Sequence, residues 1–178
     1  SWPSMMLSLN FQIAALLKAR EGWKPDDFIA VQKDVYSQFS HFLAQEVVKA
    51  FDRKKPTNSE LPAAVNVLRG WNGQMDKDAA APMVVSLAFQ KLRTKIVNRA
   101  APGRAASYLD QMSPAVMERL LRERPKEWFA DWDKVLIECL DEAIEDREGR
   151  RAQGSDFSRW QYGRYNDLTV PNFVLSNI

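Results

Sequence analysis

Cysteine is all but absent from this chain of 178 residues, and its single thiol, Cys139, excludes an internal disulfide framework. Histidine is as scarce, with His41 alone, so the carboxylates have almost no imidazole to share a metal with. No charge of one sign dominates. The 25 Lys and Arg against 23 Asp and Glu give a net charge of +2, which offers no electrostatic case for nucleic acid. No apolar run approaches the ~20 residues that span a bilayer. No signal peptide is visible, although a trimmed chain would hide one. Glycine-rich phosphate loops, internal repeats and low-complexity tracts are also missing.

What remains is 46% hydrophobic and 27% charged, the balance of an ordinary globular chain and enough for one domain with a real core. Helical periodicity accounts for most of it. A first helix is predicted from about Met5 to Ala19, with Leu9, Ile13, Leu16 and Leu17 at helical spacing. A long second helix is predicted from Pro25 to Phe51, its stripe formed by Phe28, Val31, Val35, Phe39, Phe42, Leu43, Val47 and Phe51. Asn58 or Ser59 caps a shorter helix carrying Leu61, Val65 and Leu68, with Pro62 in its first turn. Further helices are expected over Asp78–Ala100, Val116–Arg124 and Asp131–Arg151. The last places Trp132, Val135, Leu136, Cys139, Leu140, Ala143 and Ile144 on its apolar face. Beyond Gly154, Trp160, Tyr162, Leu168 and Val170 alternate about Asn166-Asp167, which reads as a short hairpin or two extended segments. The expected architecture is mainly α. It is one domain over 1–178, with a helical part to 152 and an extended tail over 153–178.

Residues Leu68–Pro82, LRGWNGQMDKDAAAP, punctuate the chain. A helix ends near Trp71, Asn72-Gly73 tolerates positive φ, and Asp76 or Asp78 is expected to cap the next helix. The aromatic packs the corner.

Candidate chemistry is thin. On a continuous helix Asp34, Ser37 and His41 share one face, but a relay needs histidine between acid and serine. Here serine lies between them, and ~10 Å of helical rise separates Asp34 from His41. Ser1 matches an N-terminal nucleophile in residue type alone, and a chain boundary is the simpler reading. Cys139 falls in an apolar stripe, which predicts a buried thiol with a raised pKa. Glu138/Glu142 and Asp141/Glu145 form i, i+4 carboxylate pairs without a histidine, the pattern of a solvated acidic face. KLRTKIVNR and RLLRERPK read as wet sides of amphipathic helices, with the acidic helix as internal partner. No catalytic, cofactor-binding or metal-ligating residue is assigned, and no cofactor.

Three stretches together resemble the penicillin acylase (penicillin amidase) family of N-terminal-nucleophile hydrolases. Val31–Ser37, VQKDVYS, looks like the family's Q-x-D-x-x-S helix through Gln32, Asp34 and Ser37. Leu68, Trp71, Gly73 and Met75, followed by Ala79–Pro82, resemble L-x-x-W-D-G-x-M and its alanine-rich helix start, with Asn72 for the aspartate. Trp160–Gly163, WQYG, is similar to W-x-W-G, with Tyr162 for the second tryptophan and Asn166 and Val170 where histidines often follow.

The resemblance implies a helical excursion from a four-layer αββα core. The nucleophile and the oxyanion-hole asparagine would lie upstream. The family's active-site arginine has no counterpart in residues 1–19, where either the chain starts past it or Leu9 or Gln12 replaces it. The implied parent hydrolyses an acyl amide through an acyl-enzyme and is periplasmic or secreted. Its partners are the rest of the parent acylase and a small acyl-amide substrate, with no nucleic acid and no membrane. The excised segment is expected to be inert. The alternative is a free-standing helical interaction module.

Overall fold

The computed structural model describes residues 13–145, 154 and 156–165. The elements are α1 (13–18), α2 (Pro25–Lys33), α3 (Gln38–Lys54), α4 (Leu61–Arg69) and α5 (Ala81–Ala100). Two 3-10 turns follow, Ala105–Ser107 and Leu109–Gln111, then α6 (Pro114–Glu123) and α7 (Trp132–Ile144). A further 3-10 turn, Phe157–Arg159, and the short α8 (Tyr162–Tyr165) complete the described chain. The domain is mainly α, and its one β interaction among the described residues is an isolated bridge, Tyr36 to Gln74.

The core forms where α5 and α3 pack on α7 and α4 lies on α3. Helix α7 buries Trp132, Val135, Leu136, Cys139, Leu140, Ala143 and Ile144, the stripe its 3.6-residue period predicts. Helix α5 is less one-sided. Residues 81–85 are buried on consecutive positions, so its first turns are enclosed all round, whereas Ala88, Leu92 and Ile96 continue along a single face. Helix α4 buries Leu61, Ala64, Val65 and Leu68, with Pro62 in its first turn as expected. Neither Asn58 nor Ser59 caps it: the N-cap is Glu60 without a side-chain bond, and Asn58 Oδ1 accepts from the Glu60 amide at 2.9 Å in the turn ahead. Among the described residues no helix is long and apolar enough to cross a membrane.

The long second helix is two helices. Helix α2 ends at Lys33 and α3 begins at Gln38, because the backbone between them pairs elsewhere. Ser37 N donates to Gly73 O at 2.9 Å and Met75 N donates to Val35 O at 3.0 Å, bonds a continuous helix would forbid. Ser37 then caps α3, its Oγ accepting from Ser40 N at 3.3 Å. The break also divides the predicted stripe. Leu43 and Val47 are core and Phe39, Phe42 and Phe51 pack against it, but α2 buries nothing and Phe28 is 43% exposed.

Two other expectations change. Neither Asp76 nor Asp78 caps α5: Asp76 Oδ1 accepts from Asp78 N at 2.9 Å in a local turn, and the helix starts after Ala80. Trp160 and Tyr162 do not lie on a strand. Trp160 is 1% exposed, donates Nε1–H to Gly154 O at 2.9 Å and meets Phe157 edge-on at 5.1 Å. The turn before it packs on α4, so this part of the tail belongs to the helical core. The start of the first predicted helix, residues 5–12, lies outside the described residues, as do 146–151, Asn166, Asp167, Leu168 and Val170.

Candidate functional site

The three motif stretches, far apart in sequence, meet at one loop, residues 71–79. On one side the bridge of Tyr36 with Gln74 joins it to the end of α2, and Gln74 reinforces the joint through its side chain. Gln74 Nε2 donates to Asp34 Oδ1 at 2.8 Å, while its Oε1 accepts from Val35 N at 3.3 Å. On the other side Tyr162 N donates to Ala79 O at 3.2 Å and Gly163 N to Lys77 O at 2.7 Å. A Cβ on Gly163 would stand 3.0 Å from Lys77 Cβ and 3.2 Å from its carbonyl oxygen, so the approach suits glycine.

The loop holds its own shape as well. Trp71 donates Nε1–H to Gln74 O at 2.9 Å, and Asn72 Oδ1 accepts from Gln74 N at 3.1 Å. Gly73 takes a φ of +84°, the left-handed conformation that Asn-Gly predicts. The Trp71 ring packs edge-on to His41 at 6.0 Å between centroids, and His41 stands edge-on to Tyr36 at 5.7 Å. Tyr36, His41 and Trp71 thus stack around Gly73.

Asp34, Ser37 and His41 do not share a helical face, since the helix breaks between the first two. Ser37 Oγ donates to Ser40 Oγ at 2.8 Å. His41 Nδ1 lies 3.0 Å from the Tyr36 hydroxyl and Nε2 lies 3.2 Å from the Gln45 amide nitrogen. None of these contacts joins serine to histidine or histidine to aspartate, so the three make no relay. Their roles are to end α2, start α3 and fill the corner.

The other candidates resolve into packing and ion pairs. Cys139 is buried, and burial pushes its thiol up to about 12, a poor nucleophile at neutral pH. Glu138 and Glu142 both face Lys95, at 3.6 and 2.6 Å, as the acidic and basic faces anticipate. Asp141 accepts from Asn58 Nδ2 at 2.5 Å. Among the described residues no group of three His, Cys, Asp or Glu side chains could hold a metal. Ser1 lies outside the described residues.

A charged cluster that sequence reading missed ties the far ends of α3, α6 and α7. Asp133 accepts from Arg53 at 2.6 Å and from Arg124 at 2.7 Å, and Arg124 also reaches Glu46 at 2.7 Å. The Arg53 hydrogen bond, against a burial penalty and aided by Arg124, lowers the Asp133 carboxyl to about 2. Arg124 sits at φ +48°, ending α6 in the left-handed region where a side chain is strained, and these two carboxylates hold it there.

A helical domain whose three signature stretches close on one loop defines the class. A sequence model of the penicillin amidase family matches residues 11–177, taking in all three stretches. The chain belongs to the penicillin amidase family. No curated protein and no solved structure gives a match.

Proposed function

We propose that this chain is the internal helical part of a penicillin-amidase-type amidohydrolase, bracing or shaping the substrate pocket of a parent that supplies the catalytic residues. The observation that carries the reading is the meeting of the three family stretches at residues 71–79, within a match that spans 11–177. Between them these contacts use backbone groups, the Gln74 amide and the Asp34 carboxylate that accepts from it, an arrangement that joins chain segments. The parent hydrolyses an acyl amide by way of an acyl-enzyme on an N-terminal nucleophile, and works in the periplasm or outside the cell. Its remaining polypeptide is the partner of this chain.

Assay of the purified 178-residue chain with chromogenic phenylacetyl and long-chain acyl amides is expected to show no turnover. Among the described residues, Ser37 hydrogen-bonds a serine and His41 a tyrosine, so neither has the base or acid it would need. Turnover that survives repurification and vanishes in Ser37→Ala or His41→Ala would overturn the inert assignment. The gene itself tests the parent: a Gly-Ser, Gly-Cys or Gly-Thr cleavage junction and an Asn-Asn-x-Pro stretch are expected upstream. An upstream reading frame that codes for neither would sink the acylase reading.

A further inference from the structure

Where α5 ends, the chain turns through Gly103 into the two 3-10 turns and then into α6. This corner forms an open hollow of about 570 Å³, within the range of about 300–1,000 Å³ common to small-molecule sites. Val97, Ala101, Met112 and Val116 supply apolar wall, and Arg104 and Tyr108 supply polar groups. Among the described residues no carboxylate lines it. Val97 is buried, while Arg104 is exposed, Tyr108 is 42% exposed and Val116 48%, so the hollow is open to solvent along both the 3-10 turns and α6.

The polar groups are unspent. Ser113, also on the wall, is occupied as the cap of α6, where its Oγ accepts from Ala115 N at 3.2 Å. Among the described residues, neither the Arg104 guanidinium nor the Tyr108 hydroxyl has a hydrogen-bond or ion-pair partner. Arg53, Arg69, Arg119, Arg122 and Arg124, by contrast, each hold a carboxylate. A cation without a counter-ion beside an apolar hollow is complementary to an anion that carries an apolar chain.

We propose that this cavity binds a small amphiphilic monocarboxylate. The carboxylate pairs with Arg104 and accepts from the Tyr108 hydroxyl, and the chain lies against Val97, Met112 and Val116. None of these residues belongs to the three stretches that meet at 71–79, so the site stands independently of the acylase reading.

Octanoate is a suitable probe, with octanol as its uncharged counterpart, titrated into the 178-residue chain while methyl resonances are followed by NMR. Saturable shifts are expected at the Val97, Met112 and Val116 methyls, with octanoate binding more tightly than octanol. Arg104→Gln should weaken octanoate about fivefold, the size of an exposed ion pair, and leave octanol unchanged. Because the Arg104 side chain has no partner within the described structure, that variant should keep the wild-type melting temperature. Val116→Glu should weaken octanoate by repulsion at the mouth. Shifts that do not saturate, shifts centred on other methyls, or equal octanoate affinity in Arg104→Gln would each overturn the proposal.

Discussion

Gly73 and Tyr36 touch in a way that only glycine permits. A Cβ built on Gly73 would lie 2.8 Å from Tyr36 Cδ2 and 2.9 Å from His41 Cβ, closer than real Cβ atoms come, and the backbone φ is +84°. Gly103 is the natural control, with a φ of +75° and nothing within 4 Å of its Cβ direction. Gly103→Ala should cost about 1 kcal/mol, the left-handed penalty alone. Gly73→Ala should cost about 2 kcal/mol more, because the ring and the helix start must also move. Urea denaturation of the two variants measures the difference, and equal midpoints would mean that the corner yields freely.

Asn72 differs from the family's aspartate without a change of job. Its Oδ1 accepts from Gln74 N, and an aspartate oxygen accepts the same bond. Asn72→Asp should therefore melt within about 1 °C of wild type, whereas Asn72→Ala should lose about 1 kcal/mol. Trp71 is only partly buried, so Trp71→Ala should cost about 2–3 kcal/mol, below the loss at a fully enclosed aromatic. Thermal melts of the three variants would contradict this account if Asn72→Asp proved the most damaging.

Acid should loosen the domain through Asp133. Its carboxyl is lowered from 3.8 to about 2, so the folded state gains stability from its ionised form above pH 4. That gain is about 2 kcal/mol and is lost as pH falls from about 4 to about 2. Glu46, whose burial penalty is outweighed by Lys49 and Arg124, adds to the same acid limb. Asp133→Asn should be about 2 kcal/mol less stable at pH 7 and should converge on wild type near pH 2. A constant gap across that range would place the variant's defect in packing rather than in charge.

Trp160 should behave as core. Trp160→Ala is expected to cost about 3–5 kcal/mol, as for other enclosed aromatics. Its amide, donated to Phe157 O at 3.2 Å, should be protected from hydrogen exchange together with α4, on which its turn packs. Exchange at the rate of an open chain would show that the 157–160 turn does not hold to α4.

Helices with a clean apolar face were legible in the sequence. All seven core positions of α7 follow from its periodicity, and Leu61, Val65 and Leu68 of α4 follow likewise. The break at 34–37 was not, because VQKDVYSQF keeps a helical pattern while its backbone bonds go to residues 73–75. Tertiary pairing overrode local periodicity there, and no window confined to residues 25–51 contains the partner. The 157–160 turn misled in the opposite sense: alternating aromatics imitate a strand when Trp160 points into a core and Tyr162 starts a helix. At the candidate site the motif residues were visible as stretches. Their meeting at one loop, the role of Gln74 and the unpaired state of Arg104 are properties of distance, which sequence spacing does not encode.

The clasp at residues 71–79 also bears on the order in which the chain folds. Its contact with the α2–α3 break closes over 39 residues, from Val35 to Gln74, and its contact with α8 spans roughly twice that. Both closures reward a few hydrogen bonds, and the first also the partly buried Tyr36, His41 and Trp71 rings, whereas α3, α4, α5 and α7 bury large faces as they collapse. The clasp is therefore expected to form after the rate-limiting step, and weakening it should speed unfolding while leaving the refolding rate nearly unchanged. The family's signature residues would then act as a latch on the finished helical domain rather than as its nucleus.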